Sequence, residues 1–149
     1  MSTKNALLTL STALVTLLSA CATPPATKLP HLAPSAELQW APLNPKEPGS
    51  GELSLIFGDL KERAPVAFLL RFPGGLKEPF HLHSSDYYAV EIAGVQHDWA
   101  PGADEGPSLP AGSWWFQPGE AAHANHCEPG AECTVFVYMP RGFDFRLAE

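Results

Sequence analysis

The sequence predicts one all-β domain over residues 37–149, and two observations carry this prediction. Short apolar runs alternate with Gly and Pro residues along the stretch, a pattern typical of strands joined by tight turns. No window of helical length places apolar residues at i, i+3 and i+4 without an intervening proline or glycine. Many short strands at regular spacing indicate a β-sandwich or barrel, and the stretch has the length of one domain.

Residues 1–20 are predicted to be a cleavable leader that takes no part in the fold. Lys4 supplies a short positive region, and residues 6–18 form an apolar run without charge, too short to span a bilayer comfortably. The tetrapeptide Leu18-Ser19-Ala20-Cys21 resembles a bacterial lipoprotein box, which implies cleavage before Cys21 and lipidation of that cysteine. The alternative is an ordinary secretory signal followed by an incidental cysteine. Because Ala22 follows the anchor, the resemblance implies the periplasmic face of the outer membrane in a host with two membranes.

Residues 21–36 are predicted to be an extended tether between the lipid anchor and the domain. Four prolines stand among small residues here, with little apolar surface to bury. Loss of the leader with Lys4 leaves eight basic residues against sixteen acidic ones, a net charge of −8 with histidine neutral. No basic cluster is present, so nucleic acid is excluded as an expected partner.

The apolar runs define the predicted strands in chain order. These runs are 53–57, 66–72, 88–92, 95–99, 114–117, 133–139 and 143–147. Alternation along the fifth run sends Trp114 and Phe116 to one face of the sheet and Trp115 to the other. One of these faces is expected to join the core, which leaves the other for sheet packing or for a homodimer contact.

Three histidines are candidates for a metal site. His81 and His83 are two residues apart in a strand-like stretch, so both imidazoles are expected to project from the same face of the sheet. Two imidazoles on one rigid face are half of a transition-metal site. His123 is the third candidate, at the end of the glycine-started, proline-interrupted stretch 112–123.

The spacing of these two stretches resembles the two motifs of the cupin superfamily. Gly75, His81, His83 and Gly94 match the first motif, whereas Gly112, Pro118 and His123 match the second. Two positions depart from the pattern: Tyr87 stands where the family has a glutamate ligand, and Glu120 where it has a glycine. The residues of both stretches are most similar to those of cupins related to the anti-sigma protein ChrR and to exported proteins of unknown function. The resemblance implies a double-stranded β-helix, or jelly roll.

The resemblance also implies a divalent transition metal, which could be Zn, Fe, Mn, Ni or Cu, held by His81, His83 and His123. The alternative is a polar cavity that these histidines line without metal. Tyr87 is the expected catalytic residue, positioning water or a substrate. The alternative is a three-histidine site completed by water, in which Tyr87 only lines the barrel. Tyr87 could instead bind the metal as a phenolate. Glu91 points to the same side of the strand as Tyr87, so it could replace the glutamate ligand of the motif, but we favour Glu91 as a rim residue.

Two functional classes follow from this resemblance. One is a membrane-anchored enzyme acting on a small molecule, of the oxygenase or isomerase type. The other is a non-catalytic module of the cell envelope that senses or binds a metal or ligand. The superfamily alone does not decide between them, because one barrel hosts many functions.

Cys127 and Cys133 are predicted to form a disulfide. They flank the turn-rich segment 128–132, and export would place them in an oxidising compartment where disulfides persist. The alternative is that Cys127 is a metal ligand, since it follows His123 by four residues.

Overall fold

The computed structural model describes residues 31–149. The predicted leader, the lipidation site Cys21 and the first ten residues of the predicted tether lie outside the described residues. Within residues 33–149, which form one compact unit, a 3-10 turn spans Ser35–Glu37. None of the described helices is long and apolar enough to cross a membrane.

The prediction of an all-β domain is confirmed, because strands make up nearly all the regular structure of the described chain. The strands are β1 (Ala41–Pro42), β2 (Glu52–Phe57), β3 (Val66–Phe72), β4 (His81–Leu82), β5 (Tyr87–Ala93), β6 (Val95–Trp99), β7 (Leu109–Pro110), β8 (Trp114–Gln117), β9 (Ala124–Cys127), β10 (Cys133–Met139) and β11 (Arg146–Leu147). Each predicted apolar run coincides with a strand or ends in one. Strand β4 begins the strand-like stretch predicted for His81 and His83, whereas the short strands β1, β7 and β9 carry too few apolar residues to be recognised in the sequence.

A six-stranded antiparallel sheet forms one wall of the barrel, in the order β1-β2-β3-β10-β5-β8. Strand β10 alternates strictly between buried and half-buried residues, because its inner face packs on the core while its outer face remains partly solvated. Val135, Val137 and Met139 on that inner face are each at most 5% exposed. They pack with Phe68 of β3 and Ala89 of β5 as the centre of the hydrophobic core.

Two smaller sheets, β7-β6-β9 and β4-β11, form the opposite wall. The segment that precedes β4 runs antiparallel to β9, with Lys77 opposite His126 and His81 opposite His123. Between these two pairs, the segment 77–81 advances four residues while the segment 123–126 advances three. The extra residue forms a β-bulge next to Pro79. The bulge reverses the alternation, so that Glu78 and His81 both face the barrel interior although they are three residues apart.

A disulfide joins Cys127 at the end of β9 to Cys133 at the start of β10, with 5.8 Å between the Cα atoms. Both cysteines are almost fully buried. The bond ties the small wall of the barrel to the large one. It also means that Cys127 has no free thiolate to offer a metal, as the alternative interpretation required.

Candidate metal centre

The barrel brings the three predicted histidines together in its interior. His81, His83 and His123 are 2%, 8% and 1% exposed, and one ligand nitrogen from each lies within 4.8 Å of the other two. The ring centroids are 4.3 Å apart for His81 and His123 and 5.0 Å for His81 and His83. The backbones of His81 and His123 exchange both of their hydrogen bonds at 2.8 Å, so the rigid ladder fixes these two residues relative to each other.

Hydrogen bonds determine which nitrogen of each ring is free. Nδ1 of His81 donates to the Pro79 carbonyl at 2.9 Å, and Nδ1 of His83 donates to the Asp144 carbonyl. Nδ1 of His123 donates to Oδ2 of Asp98 at 2.8 Å. With all three protons held at Nδ1, the lone pair of every ring lies at Nε2. Metal-binding histidines are usually fixed in this way by an acceptor behind the ring.

The charge state of the rings suits metal binding. Burial lowers the pKa of His81 to about 3, and the nearby His123 lowers it further in the same direction. Burial also lowers the pKa of His83, against the opposing effect of the Asp144 carbonyl. Both rings are therefore neutral over the physiological range, which is the form that donates a lone pair. Nε2 of His123 is buried without a hydrogen-bond partner among the described residues, an arrangement that costs free energy unless a ligand is bound.

Tyr87 lies beside the histidines, as its motif position implies. Its ring centroid is 5.5 Å from that of His83 and 5.8 Å from that of His123, and the side chain is 7% exposed. Burial, with help from the Asp98 carboxylate, holds the pKa of its phenol well above the usual range. Tyr87 therefore keeps its proton and can act as a hydrogen-bond donor to a molecule beside the histidines.

Glu91 does not lie at this site. It faces the interior and is 1% exposed, so the interpretation as a rim residue is wrong. However, it does not line the histidine cavity, because four residues of strand separate it from Tyr87, about 13 Å at the usual rise. Neither of its oxygens has a hydrogen-bond partner of good geometry among residues 31–149. Burial raises the pKa of its carboxyl group to about 8, against the opposing effect of the Thr134 backbone.

Two carboxyl groups near the histidines were not identified from the sequence. Asp98 lies on β6, and no spacing relative to His123 indicates that it holds that ring. Glu78 lines the same cavity as His81, His83 and Tyr87, and its Oε2 accepts a hydrogen bond from Asn125 Nδ2 at 2.9 Å. Regular alternation would send Glu78 away from His81; the available signal was Pro79, because proline inside a strand is typical of a bulge.

The cavity lined by His81 and His83 adjoins a larger groove. The inner cavity has a volume of about 50 Å³, and the groove has a volume of about 430 Å³. Four side chains line both spaces: Leu43, Glu78, Phe143 and Phe145. The Phe145 ring stacks on His81 with the centroids 4.5 Å apart, so the C-terminal segment forms part of the entrance.

The other sequence candidates lie outside this cavity. His97 and His126 stack on the outer face of the small sheet, where each pairs with a glutamate side chain, Glu128 and Glu105 respectively. Glu120 has φ of 61°, the left-handed conformation for which the motif uses glycine, and its carboxylate pairs with Arg146 at 2.8 Å. None of these groups belongs to the metal-ligand cluster.

The donor set fits a first-row transition metal. Three imidazoles whose ligand nitrogens lie within 4.8 Å of one another would suit Zn, Fe, Mn, Ni or Cu and would leave coordination positions for other ligands. The Asp98 carboxylate behind His123 is the kind of outer partner that such sites use. The described residues therefore supply both the ligands and the groups that orient them.

One family model matches the chain over residues 32–142, and it is described as "Domain of unknown function (DUF4437)". This match covers almost the whole of the described barrel. No protein with a curated description matches the sequence significantly.

Solved structures similar to this chain include several cupins, so the resemblance found in the sequence is confirmed at the level of the fold. The DMSP lyase DddQ from Ruegeria pomeroyi DSS-3 is 21% identical with a TM-score of 0.61, over 76% of this chain and 62% of that one. The polyketide cyclase RemF from Streptomyces resistomycificus is 15% identical with a TM-score of 0.66, and the match covers 81% of this chain and 87% of that one. A chain in the complex of Rhodobacter sphaeroides SigE with the anti-sigma ChrR is 20% identical with a TM-score of 0.55. This match covers 71% of the present chain and 50% of that one. The match thus spans less than two thirds of the DddQ and ChrR-complex chains.

Proposed function

Because this chain belongs to the DUF4437 family, whose cupin-type barrel here encloses three convergent histidines, we propose that it is a metal-dependent enzyme acting on a small molecule. One observation carries the proposal: the Nδ1 atoms of His81, His83 and His123 are all occupied by hydrogen bonds, which leaves the three Nε2 atoms free to bind one ion. Among the similar folds, DddQ is named a lyase and RemF a cyclase, which is consistent with chemistry in a barrel of this kind.

The bound metal would supply Lewis-acid or redox chemistry at its open positions. The residues of this chain would do the rest. The groove admits a small molecule, and the Phe143 and Phe145 side chains at its inner end limit the access of water. The protonated phenol of Tyr87 would donate a hydrogen bond to an oxygen of that molecule, a role that positions it without requiring a phenolate ligand.

Elemental analysis of untagged protein tests the proposal. We expect about one equivalent of a transition metal in wild-type protein, and loss of at least nine tenths of it in His83→Ala. His97→Ala is the matched control, because His97 is a half-buried histidine outside the cluster, and it should retain the metal. Wild-type protein that takes up no metal, or His83→Ala that retains it, would contradict the proposal.

A binding or sensing module is the second candidate. It is favoured by Tyr87, which replaces the carboxylate ligand of the motif with a group that keeps its proton. The metal distinguishes the two candidates. Iron, manganese or copper at one equivalent supports an enzyme. Zinc together with no turnover of any small molecule that binds to the groove supports a sensor.

We further propose that the protein is exported and anchored to the membrane through Cys21. The support is the leader and lipoprotein box of residues 1–21, together with the disulfide between Cys127 and Cys133. Expressed in a bacterium, wild-type protein should partition into detergent and carry the mass of a lipidated N-terminus. Cys21→Ser should remain uncleaved and unlipidated, and an equal distribution of the two proteins would refute the anchor.

The outer face of the large sheet supports a homodimer. Tyr88, Val90 and Ile92 on β5 and Trp114 and Phe116 on β8 are 39–68% exposed. These five side chains expose on the order of 500 Å² of apolar surface, more than scattered apolar residues would leave on a monomer and much of one side of a standard interface. None of the outward positions on β5, β8 and β10 is charged, so a second copy could pack on this face across a two-fold axis without burying a charge.

Light scattering of the mature protein tests the dimer. Wild-type protein should have twice the mass of one chain, and Ile92→Glu should have the mass of one. Lys61→Glu, an exposed position on a loop, should remain dimeric as the control. A monomeric wild-type protein at high micromolar concentration would rule the interface out.

A further inference from the structure

One carboxyl group on the wall of the histidine cavity is not used by the proposed metal site. Glu78 is the only acidic side chain among the described residues that line this cavity, and it also lines the groove. It does not belong to the cluster of ligand atoms within 4.8 Å. Glu78 therefore lies where the cavity and the groove adjoin, but outside the ligand set.

The position of this carboxyl group is built into the fold. The bulge at Pro79 turns Glu78 inward, and its backbone N–H donates to the Asn125 carbonyl at 2.9 Å. The Asn125 side chain, which is 8% exposed, donates to Oε2 of Glu78 at 2.9 Å. One carboxyl oxygen is thus held in place, while Oε1 has no hydrogen-bond partner among the described residues.

The other groups on the cavity wall cannot accept a proton. His81 and His83 would have their lone pairs on the metal, and the phenol of Tyr87 already carries its proton. Burial raises the pKa of Glu78, whereas Asn125 and the nearby His123 oppose this effect. A carboxylate with a raised pKa is a stronger base than one at the surface, which suits proton abstraction near neutral pH.

We infer that Glu78 is the proton acceptor for the molecule that binds at the histidines, an inference that rests on the proposed metal site. The substrate class is a small weak acid that has an oxygen donor and a dissociable proton next to it. In the step that we assign to Glu78, the bond to this proton breaks and its electron pair stays on the substrate. The proton moves to Oε1, while Asn125 continues to donate to Oε2.

Acetohydroxamic acid is a suitable probe, because it binds transition metals through its oxygens and loses one O–H proton when it binds. We would load the mature protein with Co²⁺ and titrate the probe by calorimetry in two buffers of different ionisation enthalpy, which counts the protons released. Wild-type protein should release almost none, because Glu78 captures the proton. Glu78→Gln should release about one and bind the probe about tenfold more weakly, the loss expected for one charge-assisted hydrogen bond.

Glu91→Gln is the matched control, since Glu91 is a buried glutamate outside the cavity, and it should behave like wild type. Co²⁺ affinity should be equal in all three proteins. Equal proton release and equal probe affinity in wild type and Glu78→Gln would overturn the inference, and so would loss of Co²⁺ from Glu78→Gln, which would make Glu78 a ligand. Wild-type protein that binds no Co²⁺ would refute the metal site itself. Glu78→Ala serves as a second variant if the melting curve of Glu78→Gln shows that it is unfolded.

Discussion

Replacing Asp98 with asparagine should weaken metal binding although Asp98 is not a ligand. Its Oδ2 accepts the Nδ1 proton of His123 at 2.8 Å, and the two side chains are 14% and 2% exposed. This contact holds the ring in the tautomer that leaves Nε2 free. The carboxylate also strengthens the ring as a ligand, because its negative charge stabilises the positive charge that the ring would share with a bound metal. Asparagine preserves the side-chain volume and can still accept the hydrogen bond from His123 Nδ1 through its amide oxygen, but it removes the negative charge.

The size of the effect follows from this contact. Loss of an outer carboxylate partner typically reduces metal affinity 10- to 100-fold, about 1.4–2.8 kcal/mol. Asp98→Asn should fall near the lower limit, about tenfold, because the Nδ1 proton keeps an acceptor. Asp98→Ala should fall near the upper limit, about a hundredfold, because it leaves that proton buried without a partner.

Competition with a chromophoric chelator for Zn²⁺ or Co²⁺ measures these affinities directly. Asp86→Asn is the control, because Asp86 also accepts a hydrogen bond, from the Gly119 N–H at 2.7 Å, but forms no hydrogen bond with any of the three histidines. Melting curves show whether each variant is folded. The reasoning is refuted if Asp98→Asn binds metal as tightly as wild type, or if Asp86→Asn loses as much affinity.

Three further predictions concern stability. Glu91 has a pKa of about 8 in the folded protein against an ordinary value of 4.5, so the carboxyl group ionises at lower pH in the unfolded chain. The free energy of unfolding should therefore fall as the pH rises from 4.5 to about 8. Glu91→Gln should remove this fall, so its melting temperature should equal that of wild type near pH 4.5 and exceed it above about pH 8. Reduction of the Cys127–Cys133 disulfide should lower the free energy of unfolding by about 2 kcal/mol, measured by denaturant titration with and without reductant; two alkylatable thiols in the untreated mature protein would contradict the bond. Gly142→Ala should destabilise the domain more than Gly130→Ala in thermal melts. Both glycines have positive φ, but a Cβ at Gly142 would lie 2.3 Å from the Glu62 carbonyl oxygen, while a Cβ at Gly130 would meet nothing within 4 Å. Equal losses of stability would refute the steric argument.

The prediction of the barrel was possible because strand signals are local. Alternation along Tyr88–Ile92 and Trp114–Gln117 reports which side chains face inward, and the structure places Trp115 against the core and Trp114 at the surface. The motif spacing placed His81 and His83 on one face for the same reason. Strands β1 and β7 were missed because two residues cannot display a period, and β9 was missed because its four residues show no apolar alternation.

The assignment of the carboxyl groups could not be predicted in this way. Glu91 has the parity of Tyr87 and does face inward, but parity does not measure distance along the strand, and the histidines lie at the other end. Glu78 has the opposite parity to His81 and faces inward because a bulge intervenes. A one-residue irregularity reverses every inference from alternation that crosses it.

The sequence by itself determined the strand pattern, the turns, the disulfide partners and the three histidines, since each depends on local periodicity or on short spacing. Only the tertiary structure decided which groups surround those histidines. Asp98 reaches His123 from β6, the Asp144 carbonyl reaches His83 from the C-terminal segment, and Asn125 holds Glu78 across the bulge. These contacts join residues that are 25, 61 and 47 positions apart. Their physical cause is the closing of the two walls of the barrel over one core, which brings side chains together without leaving any regular spacing in the chain.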